Sequence, residues 1–269
     1  MQRRHSIRHL AWRGGVAAVS HALMFSGIYP LVPHALRALG GGGTTLRSTV
    51  RSAFGEWGMA VLVSAARPLG FLPFAGGHGP RPIIVLHGYA MNRANFAVLA
   101  YRLRKAGLGP VFGFEYWTLG RVAAGARQLG WFVDEVRAAT GADQVDLIGH
   151  SMGGVVARYY AALAGGHAAV AHLITIGSPH AGTDVGGFGI GHPARELVLG
   201  SKLIQRLQAA PVATRLTTIL SEGDALVPAS QQPEIAGAER IVYDDLGHVA
   251  MLGSRRVARV IIDRLRSPV

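Results

Sequence analysis

From residue 81 onward, short apolar runs alternate with longer segments whose apolar residues recur every three to four positions. Pro82-Ile83-Ile84-Val85-Leu86 predicts a buried strand, and Ala94 to Ala106 a helix with Phe96, Leu99 and Leu103 on one face. Gly109 to Glu115 predicts a second strand. Leu119 to Thr140 reads as mostly helical, its buried stripe formed by Leu129, Phe132, Val133 and Val136. Asp143 to Ile148 leads as a strand into a glycine-flanked turn, with a helical run from Gly154 to Tyr160 beyond it. Val170 to Ile176 is the next buried strand, and Leu216 to Leu220 and Arg240 to Tyr243 are shorter β-type runs. A final helix, about Ser254 to Leu265, turns Val257, Val260, Ile261 and Leu265 inward and its arginines outward. This alternation, without internal repeats, predicts an α/β fold: one domain over 81–269 with a mostly parallel central sheet flanked by helices.

Between Gly182 and Arg215 the pattern carries no strand. Pro193 to Leu199 and Lys202 to Leu207 predict short amphipathic helices over one face, a small cap at about 182–215. Its apolar underside of Leu197, Leu203 and Ile204 has two readings, an acyl-chain surface or a buried helix face. Both give the same pattern.

The first eighty residues differ. Arg3, Arg4, Arg8 and Arg13 precede a stretch from Gly14 to Leu36 without a formally charged residue, and Gly40-Gly41-Gly42-Gly43 follows. A second apolar stretch, Trp57 to Ala75, is interrupted only by Arg67 and closes with Gly76-Gly77-His78-Gly79-Pro80, which reads as a linker. Residues 1–80 are thus expected to form an apolar, basic helical extension. Membrane association is the preferred reading, since roughly 20 apolar residues cross a bilayer, although Pro30 and Pro33 would kink or end the helix. A signal peptide, or a pair of helices packed on the domain, are the alternatives. The corresponding location is membrane-associated, with secreted or cytoplasmic as the alternatives.

Composition narrows the partners. The absence of cysteine excludes disulfides, thiolate metal sites and thiol catalysis. A net charge of +12 points at first to nucleic acid, but it divides into +7 over 1–80 and +5 over 81–269. Lysine occurs only at Lys105 and Lys202, and no basic stripe is interleaved with aromatics, so no nucleic acid is expected. No cofactor and no metal are expected either. The sequence carries no signal of oligomeric state.

The chemistry centres on Gly149-His150-Ser151-Met152-Gly153, set between a predicted strand and a predicted helix. That context describes a sharp turn that pushes the serine hydroxyl out of the backbone, where it can attack an acyl carbon. Such a hydroxyl needs a histidine to take its proton and a carboxylate to orient the imidazole. His248 follows a short strand and a glycine, and it is the only histidine after position 192. Asp224, just beyond Leu216–Leu220, is the preferred acid over Glu222, Asp244 and Asp245, which read as solvated loop carboxylates. Asp184 reads as part of the pocket mouth. A tetrahedral intermediate also needs two donors for its oxyanion. The backbone N–H of Met152, after the nucleophile, is one candidate, and that of Tyr89, in the His87-Gly88-Tyr89 loop, is the other. His87 is read as a group that holds this loop in shape.

Over about 81–268 these blocks resemble the α/β-hydrolase superfamily, and within it the bacterial serine lipases and esterases. The matching residues are His87-Gly88, Gly149-His150-Ser151-Met152-Gly153-Gly154, Thr175 through Thr183, Gly223-Asp224 with Val227-Pro228, and Gly247-His248. The resemblance implies a Ser151–His248–Asp224 triad, oxyanion donors at Tyr89 and Met152, and hydrolysis of a small-molecule or lipid ester through an acyl-enzyme. Some lipases of this type carry a calcium site and a disulfide; this chain lacks cysteine and shows no clear carboxylate cluster. A thioesterase, amidase or acyltransferase on the same triad is the nearest alternative, and a non-catalytic membrane-associated scaffold the alternative from another class.

Overall fold

The computed structural model describes residues 46–71, 75–184, 191–211 and 214–267. The uncharged stretch at 14–36 and the glycine run at 40–43 lie outside the described residues. Among the described residues seven strands form one sheet: β1 (Ala75–Arg81), β2 (Ile83–Leu86), β3 (Gly109–Phe114), β4 (Val145–His150), β5 (Val170–Ile176), β6 (Arg215–Ser221) and β7 (Glu239–Tyr243). Their order across the sheet is β1-β3-β2-β4-β5-β6-β7. β1 runs antiparallel to β3 and every other neighbouring pair is parallel. The helices are α1 (Leu46–Ala66), α2 (Ala97–Lys105), α3 (Val122–Thr140), α4 (Met152–Leu163), α5 (Pro193–Glu196), α6 (Lys202–Ala209), α7 (Ala250–Gly253) and α8 (Arg255–Arg266).

Because strand side chains alternate in direction, consecutive apolar residues feed two separate layers. Ile84, Leu86, Leu147 and Leu173 pack with the inward stripes of α3 and α4. Ile83, Val85, Ile148 and Ile174 pack on the other side with α1, α2, α7 and α8. Each fully buried aliphatic side chain contributes roughly 1.5–3 kcal/mol relative to exposure, so the near-continuous apolar strands are what a sheet covered on both faces requires. Local signals set the helix ends. Ser201 and Ser254 cap α6 and α8 through the N–H groups of Ile204 and Val257, and Gly141 closes α3 at φ 70°.

The later part of the N-terminal extension belongs to this packing. α1 buries Met59 and Val63 in the layer with α2, α7 and α8. It gives way at Ala66 to a short 3-10 turn containing Pro68, a residue that disfavours helical backbone just before it. Gly76-Gly77-His78-Gly79-Pro80, expected as a linker, makes up most of β1, so the boundary expected at residue 80 falls inside a strand. Glycine and proline are tolerated because β1 is an edge strand whose register with β3 shifts between Gly76 and Arg81. No helix among the described residues is long and apolar enough to cross a membrane.

In the segment expected as a cap, Leu197 and Leu207 join the core around α4, Ile204 is buried, and Leu203 packs against the same cluster. Arg158 of α4 donates to the Leu207 carbonyl at 2.8 Å, and Thr183 N–H to the Leu197 carbonyl at 2.8 Å. Of the two readings of that apolar underside, the buried helix face is the one observed.

Candidate active site

β2, β4, β6 and β7 deliver His87-Gly88-Tyr89, Ser151, Asp224 and His248, respectively, just beyond their C-terminal ends. Pairings such as Leu86 with Gly149, His150 with Ile176, Ile176 with Ile219, and Ser221 with Tyr243 keep those ends level. The loops therefore converge on one edge, where open α/β sheets bind ligands.

Ser151 occupies the turn between β4 and α4 with φ 54° and ψ −127°, a strained conformation for a residue with a Cβ. Its N–H is held by the Ile176 carbonyl at 2.8 Å, and its side chain is half-buried. The flanking glycines are required by close approach. A Cβ on Gly149 would lie 2.4 Å from Gly154 Cα, and one on Gly153 would lie 2.4 Å from the Leu86 carbonyl oxygen. The start of α4 thus sits directly against the end of β2.

His248 and Asp224 are both buried, with Nδ1 2.7 Å from Oδ2. Nδ1–H donates to the carboxylate and Nε2 is left as the acceptor. Asp224 Oδ1 accepts the N–H groups of Leu226 and Val227, both at 2.8 Å. Burial works to raise the Asp224 pKa, but His248 and these donors outweigh it and hold the carboxyl below its usual value. Burial works to lower His248; the Asp224 carboxylate, with Glu56 beyond it, outweighs that and holds the imidazole above its usual value. The alternatives for the acid lie elsewhere. Glu222 accepts from Ser230, Asp245 pairs with Arg256, Asp244 is exposed, and Asp184 receives Gln231 at 3.4 Å.

Two neighbours tie the pair to the serine. A Cβ on Gly177, the residue after Ile176, would lie 3.1 Å from Asp224 Oδ2 and 3.2 Å from His248 Nδ1. His150, the residue before Ser151, donates from Nε2 to the His248 carbonyl at 3.1 Å, with ring centroids 4.7 Å apart. Burial, with His248 nearby, depresses His150 to about 3, so it stays neutral. On the other side, a Cβ on Gly88 would lie 2.9 Å from Ser151 Cβ, which puts the β2 loop against the serine. Tyr89 follows it, and Ala90 takes φ 54° with its N–H on Thr118 Oγ1 at 3.2 Å. Met152 is the first residue of α4, so its N–H has no acceptor one turn back within the helix. His87 is buried between Glu115, at 3.2 Å, and the ring of Tyr116, whose hydroxyl donates to the His87 carbonyl at 2.8 Å.

Sequence reasoning missed two residues at this site, His150 and Glu56. Glu56 lies in α1 and accepts the N–H groups of Val249 and Ala250, immediately after His248. The available signals were weak: a histidine inside the serine turn, and the single carboxylate of the first eighty residues.

Among known proteins, the family profile described as "alpha/beta hydrolase fold" matches residues 81–194. A triacylglycerol lipase of Burkholderia plantarii is 33% identical over 54% of this chain and 44% of its own length. A triacylglycerol lipase of Pseudarthrobacter phenanthrenivorans is 51% identical over 61 residues, 23% of this chain and 18% of that protein. The chain thus spans less than half the length of these curated relatives. Among solved structures, the mature Bacillus licheniformis lipase matches with a TM-score of 0.65 at 16% identity, over 73% of this chain and 98% of that one. Aspergillus fumigatus lipase B matches at 0.60 and 15% identity, over 70% and 53%. The Exiguobacterium antarcticum esterase matches at 0.53 and 20% identity, over 72% and 94%. At these identities the structures speak for the fold alone.

Proposed function

We propose, from the premise that this chain has the α/β-hydrolase fold and resembles lipases in sequence, that it is a serine hydrolase of carboxylic esters. The observation that carries the proposal is the strained Ser151 turn beside the buried His248–Asp224 pair on one edge of the sheet. His248 Nε2 takes the proton of Ser151 Oγ as that oxygen bonds to the ester carbonyl carbon. The resulting oxyanion is stabilised by the backbone N–H groups of Tyr89 and Met152. The carbon–alkoxy bond then breaks, and His248 passes its proton to the departing alcohol. Water, deprotonated by His248, attacks the acyl-enzyme, and Ser151 recovers its proton as the acid leaves. Asp224 orients the imidazole throughout and stabilises its charged form. An organophosphonate probe should label Ser151, and a panel of p-nitrophenyl esters of graded chain length should be hydrolysed. No labelling and no turnover would leave the non-catalytic scaffold as the better reading, whereas labelling with turnover confined to thioesters or amides would shift the substrate class.

A membrane surface is the second part of the proposal, supported by the outer face of α1. Val50, Phe54, Trp57, Val61 and Leu62 are exposed there, with Phe54 at 72%. These positions recur at helical spacing, the pattern of a helix that lies in a lipid interface. Arg51, also exposed, adds positive charge suited to anionic lipid.

A further inference from the structure

Helix α1 reaches both loops that carry the proposed acid and base. Glu56 is buried, and its Oε2 accepts the backbone N–H groups of Val249 at 2.7 Å and Ala250 at 3.0 Å. One helical turn earlier, Ser52 is buried against the loop that carries Asp224. The glycine preceding each of the two residues shows how tight the fit is. A Cβ on Gly247 would lie 2.5 Å from Glu56 Oε2, and one on Gly223 would lie 2.2 Å from Ser52 Oγ. Neither glycine has a positive φ, so close contact, not backbone conformation, accounts for both; at Gly223 the carbonyls of Asp244 and Leu246, each 3.0 Å from such a Cβ, share that contact with the helix. Met59 and Val63 continue the same face into the core and fix the helix in place.

A carboxylate in this setting is costly to bury. Its pKa is raised to about 7: burial drives it up, His248 and the two backbone N–H groups work against the rise, and Asp224 adds to it; His248 and Asp224 are the titratable groups that act on it from the two loops. Arg51, on the same helix, lies 3.7 Å from Asp245. A helix needed only for packing would be more stable with a neutral side chain at this position. We infer that Glu56 is a positioning residue for His248, holding the histidine loop by two backbone N–H groups and placing a carboxylate near the imidazole. Through Ser52 and Glu56, one helix face then sets the spacing of the acid and base loops. This rests on the triad reading given above. It makes residues 46–66 necessary for the chemistry, although every triad residue lies beyond position 150.

The test uses the full-length protein and the variants Glu56→Ala and Glu56→Gln. The readouts are the pH profile of kcat/KM on a soluble p-nitrophenyl ester, the rate of organophosphonate labelling, and a thermal melt. Glu56→Ala should lower both rates about ten- to hundredfold, mainly in kcat, as expected when a catalytic group is misplaced. Glu56→Gln keeps an acceptor oxygen without the charge, so it should lose less activity and move the acid limb of the profile down by about half a pH unit. If Glu56→Ala does not fold, Glu56→Gln decides alone. Folded variants with the wild-type profile and labelling rate would overturn the inference and leave the hydrolase reading standing. A wild-type protein that is not labelled at Ser151 would overturn the hydrolase reading, and this inference with it.

Discussion

Asp224–His248 and Asp146–His172 are both buried histidine–carboxylate contacts of one sheet, at 2.7 Å and 3.0 Å, yet they serve opposite ends of it. Asp146 and His172 sit near the starts of β4 and β5, paired in register. A single oxygen of Asp146 accepts Arg81 Nε at 2.8 Å and the His172 backbone N–H at 3.2 Å, and His172 Nδ1 lies 3.0 Å both from that oxygen and from Arg81 Nη2. Arg81 therefore already answers that carboxylate's charge, and His172 Nε2 is buried without a hydrogen-bond partner. At the other end, Asp224 is held by backbone N–H groups and His248, and the Ser151 turn lies alongside. A short imidazole–carboxylate contact does not make a base. What differs is what surrounds the carboxylate: Arg81 at one end, and at the other backbone N–H groups and the imidazole, next to the Ser151 turn.

The hardest test of this contrast is at the Ser151 end. Ser151→Ala should lower kcat/KM at least about a thousandfold with an unchanged circular dichroism spectrum. Asp224→Asn should cost about 10³- to 10⁴-fold, because the amide favours the wrong imidazole tautomer. If Asp224→Asn is mild while Glu222→Gln is severe, the acid has been misidentified.

Asp146→Asn should behave in the opposite manner. It keeps an acceptor oxygen but leaves the Arg81 guanidinium without its buried counter-charge, so stability should fall by about 2–4 kcal/mol in denaturant titrations, while kcat/KM stays within about threefold. A catalytic loss in a variant of normal stability would erase the distinction between the two pairs.

Titration sharpens it further. His248 must be neutral to act as a base, and its folded pKa lies above the usual 6.5, so the acid limb of kcat/KM should centre above that value. A raised histidine pKa contributes stability that is full below 6.5 and is lost as pH rises through the folded value. The stability gap between wild type and His248→Gln should therefore be wider at pH 5.5 than at pH 8.5. Glu56 works in reverse. Its pKa is raised from 4.5 to about 7, so it costs stability as pH climbs through that window. Glu56→Gln should gain on wild type between pH 5 and pH 8, by at most ~3 kcal/mol. A pH-independent gap in either variant removes the corresponding charge interaction.

The smallest expected effect separates the two faces of α1. Replacing Phe54 and Trp57 together by serine should weaken binding to anionic vesicles about tenfold or more, with hydrolysis of a soluble ester unchanged. Unaltered vesicle binding would remove the lipid role from this helix.

The alternating strand and helix patterns beyond residue 81 determined the α/β sheet, because burial on both faces demands apolar strands and one-sided helices. The order of the serine turn, Asp224 and His248 along the chain was enough to name candidates, since the ends of parallel strands bring such residues to one edge. The sequence by itself stopped where contacts cross long separations. Gly76–Pro80 reads as a linker and becomes an edge strand only through its partner β3. Leu197, Leu203 and Ile204 show the same helical spacing whether they meet substrate or core. Glu56 lies 193 and 194 residues before the amides it binds, a pairing no local pattern encodes. Local periodicity specifies which face of an element is apolar; only the packed tertiary structure decides what that face, or a lone carboxylate on it, is placed against.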